Sequence, residues 1–209
     1  MRRLADGVER RIVATEISAR HRKFIESRDM FWLATIDHQG RPTVSYKGGD
    51  PGFVRVLDQT TIAFPCYDGN GMLYSMGNLM GNNKVGMLFV NFEQPHRLRV
   101  QGIATVHDDD PLLADFLEAQ MIVRVSVTEI FRNCPRYVHR YKKIKASEYV
   151  PRAGTKTPTS VPGEAPDVQH VADRLGECGF ILRETGGDQR FDFPSWNQLR
   201  AQRQITGRQ

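Results

Sequence analysis

Three short segments hold the side chains with the greatest capacity for chemistry: Ser45-Tyr46-Lys47-Gly48-Gly49, Tyr67-Asp68-Gly69-Asn70-Gly71 and Ser75-Met76-Gly77-Asn78. Together they supply hydroxyls, amides, a lysine and adjacent glycines, which are the short donors, positive charge and open backbone that a bound phosphate needs. A short helix beginning near Met72 would direct N–H groups toward the same anion. The residues also suit a plainer arrangement, with the glycines in turns and Lys47 solvated at a strand end. Gly69-Asn70-Gly71 lacks the glycine spacing of a dinucleotide fingerprint, and no Walker lysine motif is present.

A second patch is Asn133-Cys134-Pro135-Arg136-Tyr137-Val138-His139-Arg140. Proline after Cys134 can open a short helix, and Arg136 and His139 suit an anionic substrate as well as a solvated basic surface. Cys134 reads as a packed thiol, because no general base can be placed beside it. The cysteines Cys66, Cys134 and Cys178 lie far apart, without the close spacing of zinc or redox pairs, which favours a reducing compartment. His107 with Asp108, Asp109 and Asp110 reads as a turn cluster, and no metal site is expected.

The elements that must position these residues have strand character. Residues 30–36 and 42–47 alternate around the turn Asp37-His38-Gln39-Gly40 and predict a hairpin. Residues 53–57 and 60–64 predict a second, rich in β-branched and aromatic side chains. Leu73, Met76, Leu79 and Met80 recur at helical spacing, so residues 72–81 predict a short helix with Asn82 and Asn83 at its exit. Residues 85–92 and 97–107 carry the longest strand signals, with Leu98, Val100, Gly102, Ala104 and Val106 on one parity. A short helix over residues 112–119 and a strand over residues 121–131 follow, and residues 9–28 read as an amphipathic covering helix.

Without long helices between the strands, a parallel α/β sheet is excluded in favour of a closed or partly closed antiparallel barrel. Residues 1–149 are assigned to the barrel domain with its covering helix. Residues 150–209, with Pro151, Pro158, Pro162 and Pro166, read as a proline-rich extension packed on the barrel or on a partner. The 29 Lys and Arg against 24 Asp and Glu leave a net charge of only +5, weak support for a nucleic-acid surface. The aromatics Phe31, Trp32, Phe53 and Phe64 fall in apparent core strands, which also argues against a single-strand-binding groove. Neither a secretory signal nor an apolar stretch long enough to span a membrane is present, so the expected location is the cytoplasm.

The order of these motifs adds a resemblance. Phe31-Trp32-Leu33-Ala34-Thr35-Ile36-Asp37, then Gly40-Arg41-Pro42, then residues 75–83 ahead of Val85-Gly86-Met87-Leu88-Phe89, resembles the FMN-binding core of the pyridoxamine 5'-phosphate oxidase-like family. With residues 44–49, 51–57 and 64–71 included, the pattern is closer to a flavin-nucleotide-binding branch than to the classical oxidase. The similarity covers residues 24–140. It implies a mainly β fold with flanking helices, a split β-barrel, and a homodimer with two FMN molecules in grooves between subunits. It also implies an oxidoreductase acting on a small molecule, or else a flavin-storage protein or a binder of haem or a deazaflavin.

Cofactor contacts implied by the resemblance are Ser45, Tyr46, Lys47, Gly48, Tyr67, Asp68, Asn70, Ser75, Asn78 and Asn83. Lys47 would meet the phosphate or a ribityl oxygen, with Ser75 and Asn78 beside it. Tyr67 would support the ring or simply pack, Asp68 would meet a ribityl hydroxyl, the turn or Lys47, and Asn70 would bond FMN or stabilise the turn. Cys134, Arg136 and His139 would approach the substrate. Tyr74-Ser75-Met76 lacks the classical oxidase's basic pair, and residues beyond Pro151 show no substrate-phosphate motif, so FMN binding is expected without pyridoxamine phosphate oxidation. No side chain is assigned as a catalytic acid or base.

Overall fold

The computed structural model describes residues 12–67 and 73–158. Its centre is one seven-stranded sheet in the order β2-β1-β5-β6-β7-β4-β3, with every neighbouring pair antiparallel. The strands are β1 (Met30–Ile36), β2 (Pro42–Gly48), β3 (Arg55–Val56), β4 (Thr61–Tyr67), β5 (Lys84–Asn91), β6 (His96–His107) and β7 (Ala119–Asn133). Helices α1 (Ala19–Glu26) and α2 (Tyr74–Gly81) flank them. The chain is therefore mainly β with flanking helices, and the sheet curls into a split barrel whose edge strands β2 and β3 do not pair.

Alternating burial explains the curl. On β1, Phe31, Leu33 and Thr35 point inward, and on β6 the same parity carries Leu98, Val100, Gly102 and Ala104. Phe31 sits where the sheet closes on itself: its ring lies 5.1 Å from Phe89, 5.0 Å from Phe64 and 5.9 Å from Phe53. Four aromatic rings thus join neighbouring strands to the far side of the sheet. Trp32 points the other way and meets Phe92 edge-on at 6.1 Å. Strand β4 is buried on both faces, because Ala63 packs outward with Phe116 and Ile122 while Ile62 and Phe64 enter the main core.

The expected hairpin of β1 and β2 forms, from Met30 opposite Gly48 to Ile36 opposite Pro42. Its turn is organised by buried Asp37, whose carboxylate accepts from the Gln39 amide at 2.9 Å, the Arg41 amide at 2.8 Å and Arg41 Nε at 2.7 Å. Burial alone would raise the Asp37 pKa, but these donors outweigh it and hold the carboxyl below its ordinary value.

Three helical expectations are corrected. The helix expected over residues 9–28 is interrupted: Ile12 is helical, residues 13–18 are not, a helix then runs over Ala19–Glu26, and residues 9–11 lie outside the described residues. Ala14 bridges Ile130, donating at 2.9 Å and accepting at 2.8 Å, while the Ile17 amide donates to Gln59 O at 2.7 Å. These extended contacts, followed by the Ser18–His21 capping box, delay the helix start. The helix expected over residues 112–119 is a 3-10 turn, Pro111–Asp115, because Glu118 takes a left-handed φ of 57° and β7 begins at Ala119. The helix expected to follow Pro135 is a turn in which the Val138 amide donates to Pro135 O at 2.9 Å. Residues 159–209 of the expected C-terminal extension, Cys178 included, lie outside the described residues. Among those described, no helix is long and apolar enough to cross a membrane.

Candidate functional site

The two ends of the sheet meet at a cavity of about 530 Å³. One wall is the C-terminal half of β2 and the residues after it, from Ser45 to Asp50. The opposite wall is Phe64 to Tyr67 of β4, and the first turn of α2, with Tyr74, Ser75 and Met76, closes a third side. Strands at opposite positions in the sheet order share this cavity only because the barrel is split here.

Helix α2 is tied to the hairpin below it by polar bonds. Asn78 is buried, and its Nδ2 donates to Thr35 Oγ1 at 3.0 Å and to Thr43 Oγ1 at 3.2 Å. The Thr35 and Thr43 hydroxyls are themselves 2.7 Å apart. These bonds set the first turn of α2 against β2, where Ser75 Oγ lies 3.0 Å from Ser45 Oγ. Leu73, at φ 46°, provides the N-cap and offers no side-chain bond to the helix end.

Lys47 is the cation of this wall. It is partly buried, and no ion pair among the described residues engages it. Burial pushes its pKa down, with a weaker opposite pull from Cys66. A cation short of water and of an acid is matched to an incoming anion. Tyr67 faces the same space, its phenol pKa raised by burial and then by Asp50. A Cβ on Gly48 would stand 2.7 Å from Cε1 of Tyr46, so the exposed Tyr46 ring lies close over the backbone of Gly48.

A segment unforeseen in the sequence completes the cavity. Lys143, Lys145, Ser147, Tyr149 and Val150 cross its mouth, held by Lys143 Nζ to Asp29 Oδ2 at 2.7 Å and by Arg152, whose Nε and Nη2 each donate to Asp50 at 2.7 Å. Asp29 and Asp50 are pairing partners more than a hundred residues away in sequence, beyond the reach of any local pattern. The run Lys142-Lys143-Ile144-Lys145 was the available signal, and charge alone does not say where it lands.

Of the residues singled out in the sequence, Ser45, Tyr46, Lys47, Gly48, Tyr67 and Ser75 line this cavity. Asn78 lies behind it, spent on the two threonines. Asn83 is exposed at the far end of α2, where its carbonyl accepts from the Ala104 amide at 2.8 Å. Asp68 and Asn70 lie outside the described residues. Cys134, Arg136 and His139 are exposed beyond β7 and do not line the cavity of their own chain. The expectation of a packed Cys134 thiol is corrected by that exposure: with a turn instead of a helix after Pro135, nothing covers it among the described residues.

Comparison with known proteins places this architecture. No curated protein matches the chain. Among solved structures, a putative pyridoxamine 5'-phosphate oxidase from Lactobacillus delbrueckii is 24% identical, with a TM-score of 0.47, covering 56% of this chain and 95% of its own. HupZ from Group A Streptococcus is 16% identical, with a TM-score of 0.46, over 60% of this chain and 99% of its own. An FMN-binding protein from Syntrophomonas wolfei is 11% identical, with a TM-score of 0.45, over 64% and 93%. The family model described as pyridoxamine 5'-phosphate oxidase matches residues 17–143, more than half of the chain, from the approach to α1 through β7 to the first residue of the segment crossing the cavity. With all seven strands of the split barrel inside that match, the chain belongs to the pyridoxamine 5'-phosphate oxidase family.

Proposed function

We propose that the chain binds FMN in the cavity between β2, β4 and α2 and uses it as an oxidoreductase acting on a small molecule. The observation that carries this reading is Lys47: a partly buried ammonium without an acid partner among the described residues, on the same cavity wall as the joined hydroxyls of Ser45 and Ser75. Those groups fit the terminal phosphate of FMN, which supplies the negative charge and acceptor oxygens they lack. In this reading Lys47, Ser45 and Ser75 hold the phosphate, and Tyr67 lies along the ring system.

Bound FMN would supply hydride or electron acceptance, while the protein orients the substrate and restricts water. The segment of residues 143–150 shields the cavity mouth in this reading, and Lys143 and Lys145 add positive potential there.

The reading includes a homodimer. Tyr46 and Tyr74 at the cavity, with Val44 and Met80 on the same elements β2 and α2, are large apolar side chains at 62%, 49%, 68% and 63% exposure. An apolar surface of this kind beside a cofactor groove is suited to an isologous contact. Cys134, Arg136 and His139, remote from their own chain's cavity, would then serve the substrate side of the partner's.

The test is an absorbance spectrum of protein purified without added flavin, followed by release and identification of the chromophore. FMN recovered near one per chain supports the reading. Folded protein that neither contains nor takes up FMN overturns it. Reduction of the bound flavin by a nicotinamide cofactor, or its absence, then separates an oxidoreductase from a storage protein.

A further inference from the structure

A second cavity, of about 280 Å³, lies on another part of the barrel and shares no lining residue with the first. Helix α1 lends it Arg20 and Lys23, the residues just after that helix lend Arg28, β6 lends Arg97, and the end of β7 lends Arg132. Among the described residues, no aspartate or glutamate lines it. Elsewhere, arginines and a lysine of the described residues are paired with acids, at Asp29, Asp37, Asp50, Asp110 and Asp115 among others. None of the five cations here takes part in an ion pair among the described residues.

One group at this place has an unmet demand. Arg28 Nε is buried without a hydrogen-bond partner, although Nη2 of the same guanidinium donates to Ser27 Oγ at 3.1 Å. The guanidinium is fixed over the Phe24 ring, 5.1 Å from its centroid, and burial lowers its pKa against the pull of Asp29 and Glu93. His21 answers to the same surroundings: burial lowers its pKa, and Arg132 and Arg20 lower it further against the Glu16 carbonyl. Its Nδ1 accepts from the Ser18 amide at 3.4 Å, so the neutral ring carries its proton on Nε2. Like charge concentrated with only Asp29 and Glu93 pulling on Arg28 from outside the lining is costly, and an anion that enters relieves it.

We propose that this cavity is a second anion site, for a small phosphate-bearing molecule. Guanidinium groups match phosphate oxygens in a two-pronged geometry, and several of them converge on a volume suited to one small molecule. Half-buried Phe24 gives its carbon skeleton an apolar edge. The site is separate from the FMN reading and stands on different residues.

Inorganic pyrophosphate is the probe, titrated calorimetrically into the full chain with flavin content recorded. Wild-type protein binds it saturably, and raising the salt concentration weakens the binding. Arg20→Gln and Arg132→Gln, both at exposed positions, each weaken it roughly tenfold or more, the scale of one lost charge-assisted bond. Both variants keep the wild-type melting temperature and flavin retention. Lys47→Met, in the first cavity, leaves the pyrophosphate affinity of this second site unchanged. The proposal is overturned if the folded wild type shows no saturable binding. It is equally overturned if Lys47→Met abolishes binding that Arg20→Gln and Arg132→Gln leave intact, since the probe would then sit in the first cavity.

Discussion

Lys47 illustrates how a group proposed to bind an anion opposes the stability of its own fold. Its pKa is lowered in the folded chain because burial disfavours the charge, so at neutral pH the charged lysine is more comfortable unfolded than folded. Lys47→Met therefore leaves the flavin-free protein with a melting temperature at least equal to wild type, while FMN affinity falls by roughly tenfold or more, as expected when a charge-assisted bond is lost. Differential scanning fluorimetry on stripped protein and a flavin titration measure the two effects. A variant that melts lower and retains FMN would reject the role.

Asp110 acts in the opposite sense. Arg124 donates to it at 2.5 Å and 3.0 Å, and those bonds, with the Leu112 amide and against the cost of burial, hold its carboxyl below the ordinary range. A depressed carboxylate stabilises the fold above its unfolded pKa of about 4 and loses that contribution as pH falls through the folded value. Asp110→Asn is therefore less stable at neutral pH and shows a shallower decline below about pH 4. Urea unfolding at the two pH values checks this, and identical slopes would refute it.

Several of these residues were legible from type and spacing. Lys47, Ser45 and Ser75 stood out because a lysine and two hydroxyls beside glycines already suggest an anion cradle. Asn78 had the same chemistry but a different use, which depends on Thr35 and Thr43 reaching it across the hairpin. Such a choice between ligand and tether is made by packing and leaves no mark in local sequence.

At the scale of elements, strands with one buried face were readable to within a residue or two, as β1, β5 and β6 show. Alternation is a direct imprint of the pleat. Helix limits were less readable because long-range partners decide them: Ala14 belongs to Ile130 before it can belong to a helix. Strand β6 also contains a feature that alternation does not disclose. The register against β7 shifts between Gln101 and Gly102, and a Cβ on Gly102 would meet Ser126 O at 2.5 Å and Val125 Cγ1 at 2.6 Å. The backbone of β7 cannot withdraw without breaking the longest ladder of the sheet. Gly102→Ala is expected to destabilise by about 1–3 kcal/mol, the usual cost of overpacking. Its urea midpoint should fall while the flavin spectrum of the folded fraction stays unchanged; an undisturbed midpoint would show that the strands can separate there.

For the whole molecule, the gap between edge strands is both the cavity and the place where the apolar side chains of β2 emerge. If these form the contact between two copies, Tyr46→Asp converts a dimer to a monomer in sedimentation velocity and reduces flavin retention with it. A Tyr46→Asp protein that sediments as wild type would assign the exposed ring no part in assembly.

The crossing segment of residues 143–152 has a further consequence, one of time. Its two anchors, Lys143 to Asp29 and Arg152 to Asp50, are both substantially exposed, and pairs of that kind contribute about 0–1 kcal/mol each and weaken in salt. A strap held so lightly opens often compared with the unfolding of the barrel beneath it. Flavin dissociation should therefore quicken with ionic strength, beyond any change in the association rate, and stopped-flow displacement would record it. The lifetime of the occupied cavity would then be set by two surface ion pairs, while its shape is set by the aromatic core around Phe31.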